Sequence, residues 1–237
     1  MLKNWQAFAL LIAVALVAGA AKAVLRSGRR RRWRRDPTLG RIEPEWRSRA
    51  PRLDLKSWSL ELLRALEWKR FELVCAAYFE AIGMRTKVAR EGADGGVDIQ
   101  LYKENDAKPS AIAQCKAWKV YDVDVKPVRE LYGVMARQGV TQGIFLTTGR
   151  FTREARSFPK GNELLLWDGE QLLAKIRDLP PETRAELLRI ATEGDFTTPT
   201  CASCGIKLVK RSPRDGGESF WGCRNYPRCR MIMKMTD

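Results

Sequence analysis

Two short runs of strand character constrain the fold most. Residues 94–102 pass through a Gly95-Gly96 turn into Val97-Asp98-Ile99-Gln100-Leu101-Tyr102, and residues 111–116 read Ala-Ile-Ala-Gln-Cys-Lys. Paired as a hairpin, they start a sheet. Ahead of them, Trp68, Phe71, Cys75, Tyr78, Phe79 and Ile82 recur at three- and four-residue spacing, the apolar stripe of a helix. Gly83 suits its C-cap, and residues 86–89 read as a further strand. Behind the hairpin the pattern alternates. Residues 125–138 form an amphipathic helix with Val128, Leu131, Tyr132 and Met135 inward, and residues 143–148 a buried strand. A short helix over 152–158, a strand over 164–167 and helices over 172–177 and 181–191 follow. A hairpin followed by alternating strands and helices predicts an α/β fold: a mixed central sheet flanked by helices.

The hairpin gathers chemistry. Side chains two apart on a strand share a face, so Gln114 and Lys116 point one way, and Cys115 points into the core. With Asp98 across the hairpin, an acid, a side-chain carbonyl and an ammonium meet at one sheet edge, a set suited to metal-assisted phosphodiester cleavage. Taken alone, Gln114-x-Lys116 is an ordinary solvent-facing strand pair. Glu72 sits inside the apolar stripe, where a carboxylate needs a partner, either a nearby Lys or Arg or that metal. The chain has no histidine, which removes imidazole bases, Ser-His-Asp triads and His ligands.

Charge divides the chain. The formal net charge is +15, yet residues 53–200 balance to zero, while residues 26–52 carry +8 and residues 201–237 carry +5. A polyanion is therefore held mostly outside the presumed catalytic core. Residues 1–25 read as a transmembrane anchor: no charge lies between Lys3 and Lys22, and roughly 18 helical residues rising about 1.5 Å each span a bilayer core. A cleaved signal peptide is the rival, given small residues around Ala18-Gly19-Ala20. Seven Arg within 26–35 favour an anchor in the inner (cytoplasmic) membrane with the following chain in the cytoplasm. Residues 26–56, Arg-rich with three prolines, read as a linker that sets topology or touches anionic lipid or nucleic acid. Residues 57–196 form the core domain, long enough to bury a hydrophobic interior.

Residues 197–237 form a separate module. Cys201-x2-Cys204 and Cys223-x5-Cys229 bracket a hairpin-sized gap, a tetrahedral Zn2+ arrangement that supplies the stability so short a segment lacks. A cytoplasmic setting disfavours disulfides, and Cys75 and Cys115 read as small core residues.

Residues 60–177 resemble the Mrr-like restriction endonuclease family of the PD-(D/E)xK nuclease superfamily. The resemblance rests on Phe71-Glu72, Gly92-Ala93-Asp94-Gly95-Gly96-Val97-Asp98-Ile99, Gln114-Cys115-Lys116, Arg129-Glu130-Leu131-Tyr132-Gly133 and Gly143-Ile144-Phe145-Leu146-Thr147-Thr148 in that order. It implies a restriction-endonuclease-like sheet and catalysis by Asp98, Gln114, Lys116 and Glu72. Asp98, Glu72 and the Cys115 backbone carbonyl would hold Mg2+, and Lys116 would orient or deprotonate the attacking water. Gln114 stands where most of the superfamily has an acid, and Asp94 belongs to the motif, either acting directly in the chemistry or capping the turn. The tail resembles the C-terminal zinc finger of bacterial type I topoisomerases, through Cys201-x2-Cys204-Gly205, Phe220-Trp221-Gly222-Cys223, Asn225-Tyr226-Pro227 and Cys229. That implies nucleic-acid contact, with Lys210, Arg211, Arg224 and Arg228 near phosphates. Trp221 and Tyr226 would either stack on a base or form the module's own small core.

These readings converge on a membrane-anchored, Mg2+-dependent DNA endonuclease, with a catalytically silent, membrane-tethered DNA-binding protein as the alternative. Duplex or single-stranded DNA and the membrane are the expected partners, and assembly into a homo-oligomer is compatible with the sequence. An anchor and a tether occupy the place where Mrr-type enzymes carry a recognition domain, so reading of methylated DNA does not carry over.

Overall fold

The structure is a computed structural model that describes residues 53–89, 96–118, 122–159, 161, 163–213 and 216–235. The anchor at 1–25, the linker up to residue 52 and the Asp94-Gly95 half of the turn lie outside the described residues. Among the described residues no helix is long and apolar enough to cross a membrane. Asp54–Asp237 form one compact unit.

The chain enters through α1 (Leu60–Ala65), capped by the Ser59 side chain accepting from Leu62 N–H at 3.1 Å. Leu66 and Glu67 then take extended backbone, which separates α1 from the helix carrying the apolar stripe that begins at Trp68. Glu67 becomes the N-cap of α2 (Trp68–Ala81), accepting from Lys69 and Arg70 N–H. Next come β1 (Arg85–Val88), β2 (Ile99–Tyr102), β3 (Ala111–Lys116), α3 (Val125–Gln138), β4 (Gln142–Thr147), α4 (Arg153–Ser157) and β5 (Leu164–Trp167). Then follow α5 (Gly169–Arg177) and α6 (Pro181–Thr192). Asp124 caps α3, and Gly139 ends it at φ +66°, a left-handed conformation that favours glycine. Asp168 and Gln171 form a capping box at the start of α5.

The five strands lie in the order β1-β2-β3-β4-β5. β1, β2 and β3 are antiparallel; β3, β4 and β5 are parallel. The predicted mixed sheet is thus present, antiparallel at the hairpin and parallel where helices supply the crossovers. Ile112 and Phe145 pack with Val128, Leu131 and Met135 of α3. Cys115, an odd number of residues from Ile112, turns the other way, where its thiol meets Cys75 of α2. Two helices therefore cover opposite faces of the sheet.

Tyr132, expected inward, is exposed and packs edge-on against Phe158 with ring centroids 5.8 Å apart. One residue after Leu131 turns the helix by about 100°, which carries Tyr132 off the core stripe.

The zinc module forms a second, antiparallel sheet of β6 (Leu208–Arg211), β7 (Phe220–Cys223) and β8 (Ile232–Lys234).

Candidate active site and metal centre

The site forms where the β2–β3 ladder ends. Ile99 is the last β2 residue paired in register, opposite Ala113. Asp98, expected within the strand, lies just before it. Its backbone still bonds to both neighbours, accepting from Ala89 N–H at 2.8 Å and donating to Ala113 O at 3.0 Å. Its side chain does something a ladder residue does not: the Cys115 N–H donates to Asp98 Oδ2 at 2.6 Å. A carboxylate thus sits beside the Cys115 peptide at the open end of the hairpin.

Gly96 makes room for this turn. Its φ is +98°, and a Cβ there would lie 3.5 Å from Gln114 Nε2 and 3.9 Å from Oε1. The buried Gln114 amide therefore packs on the turn that delivers Asp98. Lys116 is held from the other side, where Thr147 Oγ1 donates to the Lys116 carbonyl at 2.9 Å and Thr148 N–H at 3.3 Å. Strand alternation directs Gln114 and Lys116 away from Cys115.

Glu72 comes from α2, on the same turn as Cys75, and is 6% exposed. Lys69, three residues earlier, bonds Glu72 Oε2 at 3.0 Å. Burial first, and then the charge of Asp98, push the Glu72 carboxyl up to about 7 despite Lys69. Burial also raises Asp98, opposed by the Cys115 N–H and by the charges of Lys116 and Lys69. Asp98 is therefore the common neighbour: Glu72 and Lys69 approach from α2, and Lys116 from β3. A carboxylate whose charge raises the proton affinity of a buried neighbour gains, with that neighbour, from a cation between them, and their oxygens suit a hard divalent ion.

Lys69 was not singled out from the sequence, although a Lys three residues before a core-facing Glu is a legible helical pair. Thr147 was missed as well. Its register opposite Lys116 emerges only from the parallel pairing of β3 and β4.

The four predicted zinc cysteines converge. Their sulfurs lie within 4.8 Å of one another, with Cys201 Sγ 3.7 Å from Cys229 Sγ and Cys204 Sγ 3.4 Å from Cys223 Sγ. Tetrahedral Zn2+ with bonds of about 2.3 Å needs sulfurs about 3.8 Å apart, so the set fits. Trp221 is partly buried and packs against the core of Leu208 and the cysteines, whereas Tyr226 is 63% exposed. Lys210, Arg211, Arg224 and Arg228 are exposed on the same module.

Residues 63–176 match the restriction endonuclease family model Mrr_cat, and residues 198–237 match that of the topoisomerase DNA-binding C4 zinc finger. The chain is 28% identical over 137 residues to the type IV methyl-directed restriction enzyme EcoKMrr of Escherichia coli (strain K12). That match covers 55% of this chain and 45% of the relative, so the chain spans about half the length of the enzyme it resembles. Among solved structures, the MspJI restriction endonuclease in complex with a 27-mer oligonucleotide aligns at TM-score 0.42 and 21% identity, over 64% of this chain and 41% of that one. The DNA modification-dependent restriction endonuclease AspBHI aligns at TM-score 0.42 and 20% identity, over 61% and 45%. Residues 63–176 are thus similar to the Mrr-type restriction endonuclease family, and residues 198–237 to the topoisomerase-type C4 zinc fingers.

Proposed function

We propose that the chain is a Mg2+-dependent DNA endonuclease, tethered to the inner membrane by residues 1–25, whose zinc module holds DNA for the neutral catalytic domain. The observation that carries the reading is Asp98: a half-buried carboxylate bonded to the Cys115 N–H, felt by Glu72 and flanked by Lys116 and Lys69. Asp98, Glu72 and the Cys115 carbonyl would hold the ion. Bound there, Mg2+ would polarise the scissile phosphate and make a water acidic enough to attack it.

The chain's own groups divide the remaining work. The Lys116 ammonium orients the attacking water and offsets charge on the phosphorane-like transition state. The neutral Gln114 spares the site a third negative charge, which eases approach of the phosphate at some expense in affinity for the ion. Exposed Arg224, Arg228, Lys210 and Tyr226 supply sequence-tolerant contacts to phosphates and to an unpaired base.

A plasmid-nicking assay with Mg2+ tests this. Wild type nicks, while Asp98→Ala and Lys116→Ala bind DNA but do not nick. Equal nicking by all three rejects the assignment. If none nicks while all bind, the alternative holds, a silent DNA-binding protein. Fractionation with and without residues 1–25 tests the tether: loss of those residues releases the protein from membranes, and unchanged sedimentation rules the tether out.

A further inference from the structure

The zinc module is bolted to the helix that carries Glu72, and the bolt is Glu67. This residue is 5% exposed, and its carboxylate accepts five hydrogen bonds. Two come from its own helix, Lys69 N–H at 3.0 Å and Arg70 N–H at 3.1 Å. Three come from the zinc module: Thr200 N–H at 3.2 Å, Thr200 Oγ1 at 3.0 Å and Lys207 Nζ at 3.1 Å. Thr200 directly precedes the ligand Cys201, and Lys207 follows the Cys204-Gly205 turn; the two pair with each other in a β-bridge across that knuckle. The next residue strengthens the joint, because the Trp68 indole N–H donates to Thr200 O at 2.8 Å.

A buried carboxylate is costly unless its lone pairs are filled, and here most of the filling comes from the zinc knuckle. The α2 N-terminus therefore reaches its observed state only with the module seated. Lys69 lies two residues beyond Glu67, and Glu72 five, about 7.5 Å from Glu67 along the helix axis.

We propose that Glu67 is a positioning residue: it makes the zinc-bound knuckle a structural part of the active site by fixing the helix end that places Lys69 and Glu72. The consequence for cleavage rests on the endonuclease reading above; the lock itself does not.

Hydrogen exchange of the full chain, with Mg2+ absent, tests the lock. Extracting zinc with a chelator speeds exchange of the Lys69 and Arg70 amides about tenfold or more, although both lie outside the module. Lys207→Met, a mild change that leaves the helix cap intact, gives a smaller acceleration at the same two amides while zinc content stays at one ion per chain. Glu67→Gln gives a larger one. Unchanged exchange at Lys69 and Arg70 after zinc removal overturns the proposal and makes the module a passenger. In nicking assays, Lys207→Met raises the Mg2+ concentration for half-maximal rate severalfold, and excess Mg2+ restores the maximal rate. An unchanged Mg2+ midpoint overturns the claim that the lock places the metal-binding end of the helix. If wild type fails to nick, the endonuclease reading falls and the exchange result decides the lock alone.

Discussion

Replacing a proposed catalytic residue, Glu72→Gln, should stabilise the Mg2+-free protein at alkaline pH. Burial and the Asp98 charge raise Glu72 from 4.5 to about 7, so between those values the folded state keeps a proton that the unfolded chain has released. Folded stability then falls as pH rises through this window, and the loss is complete above about 7. The shift of about 2.5 pH units corresponds to about 3 kcal/mol at most, and residual solvent access near α2 reduces it to about 2 kcal/mol. Glutamine imitates the protonated acid and still offers Lys69 an acceptor. The variant should therefore gain about 2 kcal/mol over wild type at pH 8, and less than about 1 kcal/mol at pH 5. Urea unfolding at both pH values, with zinc retained and Mg2+ withheld, measures the difference. Mg2+ should then stabilise wild type at pH 8 more than the variant, which keeps Asp98 and the Cys115 carbonyl but lacks the Glu72 carboxylate. A variant less stable than wild type at pH 8, or one shifted equally at both pH values, would refute the reasoning and leave Glu72 as a plain partner of Lys69.

Three other outcomes follow from the same geometry. Thr147→Val removes the hydroxyl that donates to Lys116 O and accepts from Gly149 N–H, so it should cost about 2 kcal/mol in a denaturant melt and slow nicking more than it weakens DNA binding. Arg224→Gln with Arg228→Gln should reduce the slope of log affinity against log salt by about 2, whereas an unchanged slope would place the DNA contact on the Arg-rich linker or the core. Nicking should fall on the acid side of about 7, as Glu72 takes up a proton, and the midpoint should move down as Mg2+ is raised; a limb insensitive to Mg2+ would detach Glu72 from the metal.

Much of this architecture was readable because it is local. Apolar spacing located α2, α3 and β3, and the Gly-Gly turn with its following strand announced the hairpin. The zinc set was the clearest of all, since two close cysteine pairs have few other uses in so short a segment. The misreadings share a cause: they concern long-range or one-residue effects. Asp98 lies one residue outside the β2 ladder, where its side chain takes the Cys115 N–H, and helix periodicity alone does not place Tyr132 reliably at the rim of its stripe. The break at Leu66 is invisible to hydrophobic spacing, yet it lets Glu67 cap α2. Its bonds to Thr200 and Lys207 join residues more than 130 positions apart, beyond the reach of any local pattern.

That joint also makes sense of the charge partition. A site built on a buried and a half-buried carboxylate is sensitive to added cations, because each one nearby competes with the metal for Asp98 and Glu72; Lys69 and Lys116 already do so. Spreading DNA-binding arginines over the catalytic face would weaken the ion further. Placing them on a separate zinc module keeps the core neutral, but a freely hinged module would present the phosphate at random. The Glu67 carboxylate resolves the conflict. It gathers one lysine and the knuckle backbone into a rigid contact at the foot of α2, while the exposed arginines stay on other parts of the module. On this logic, longer spacing at residues 197–199 would spare DNA affinity and lower the nicking rate.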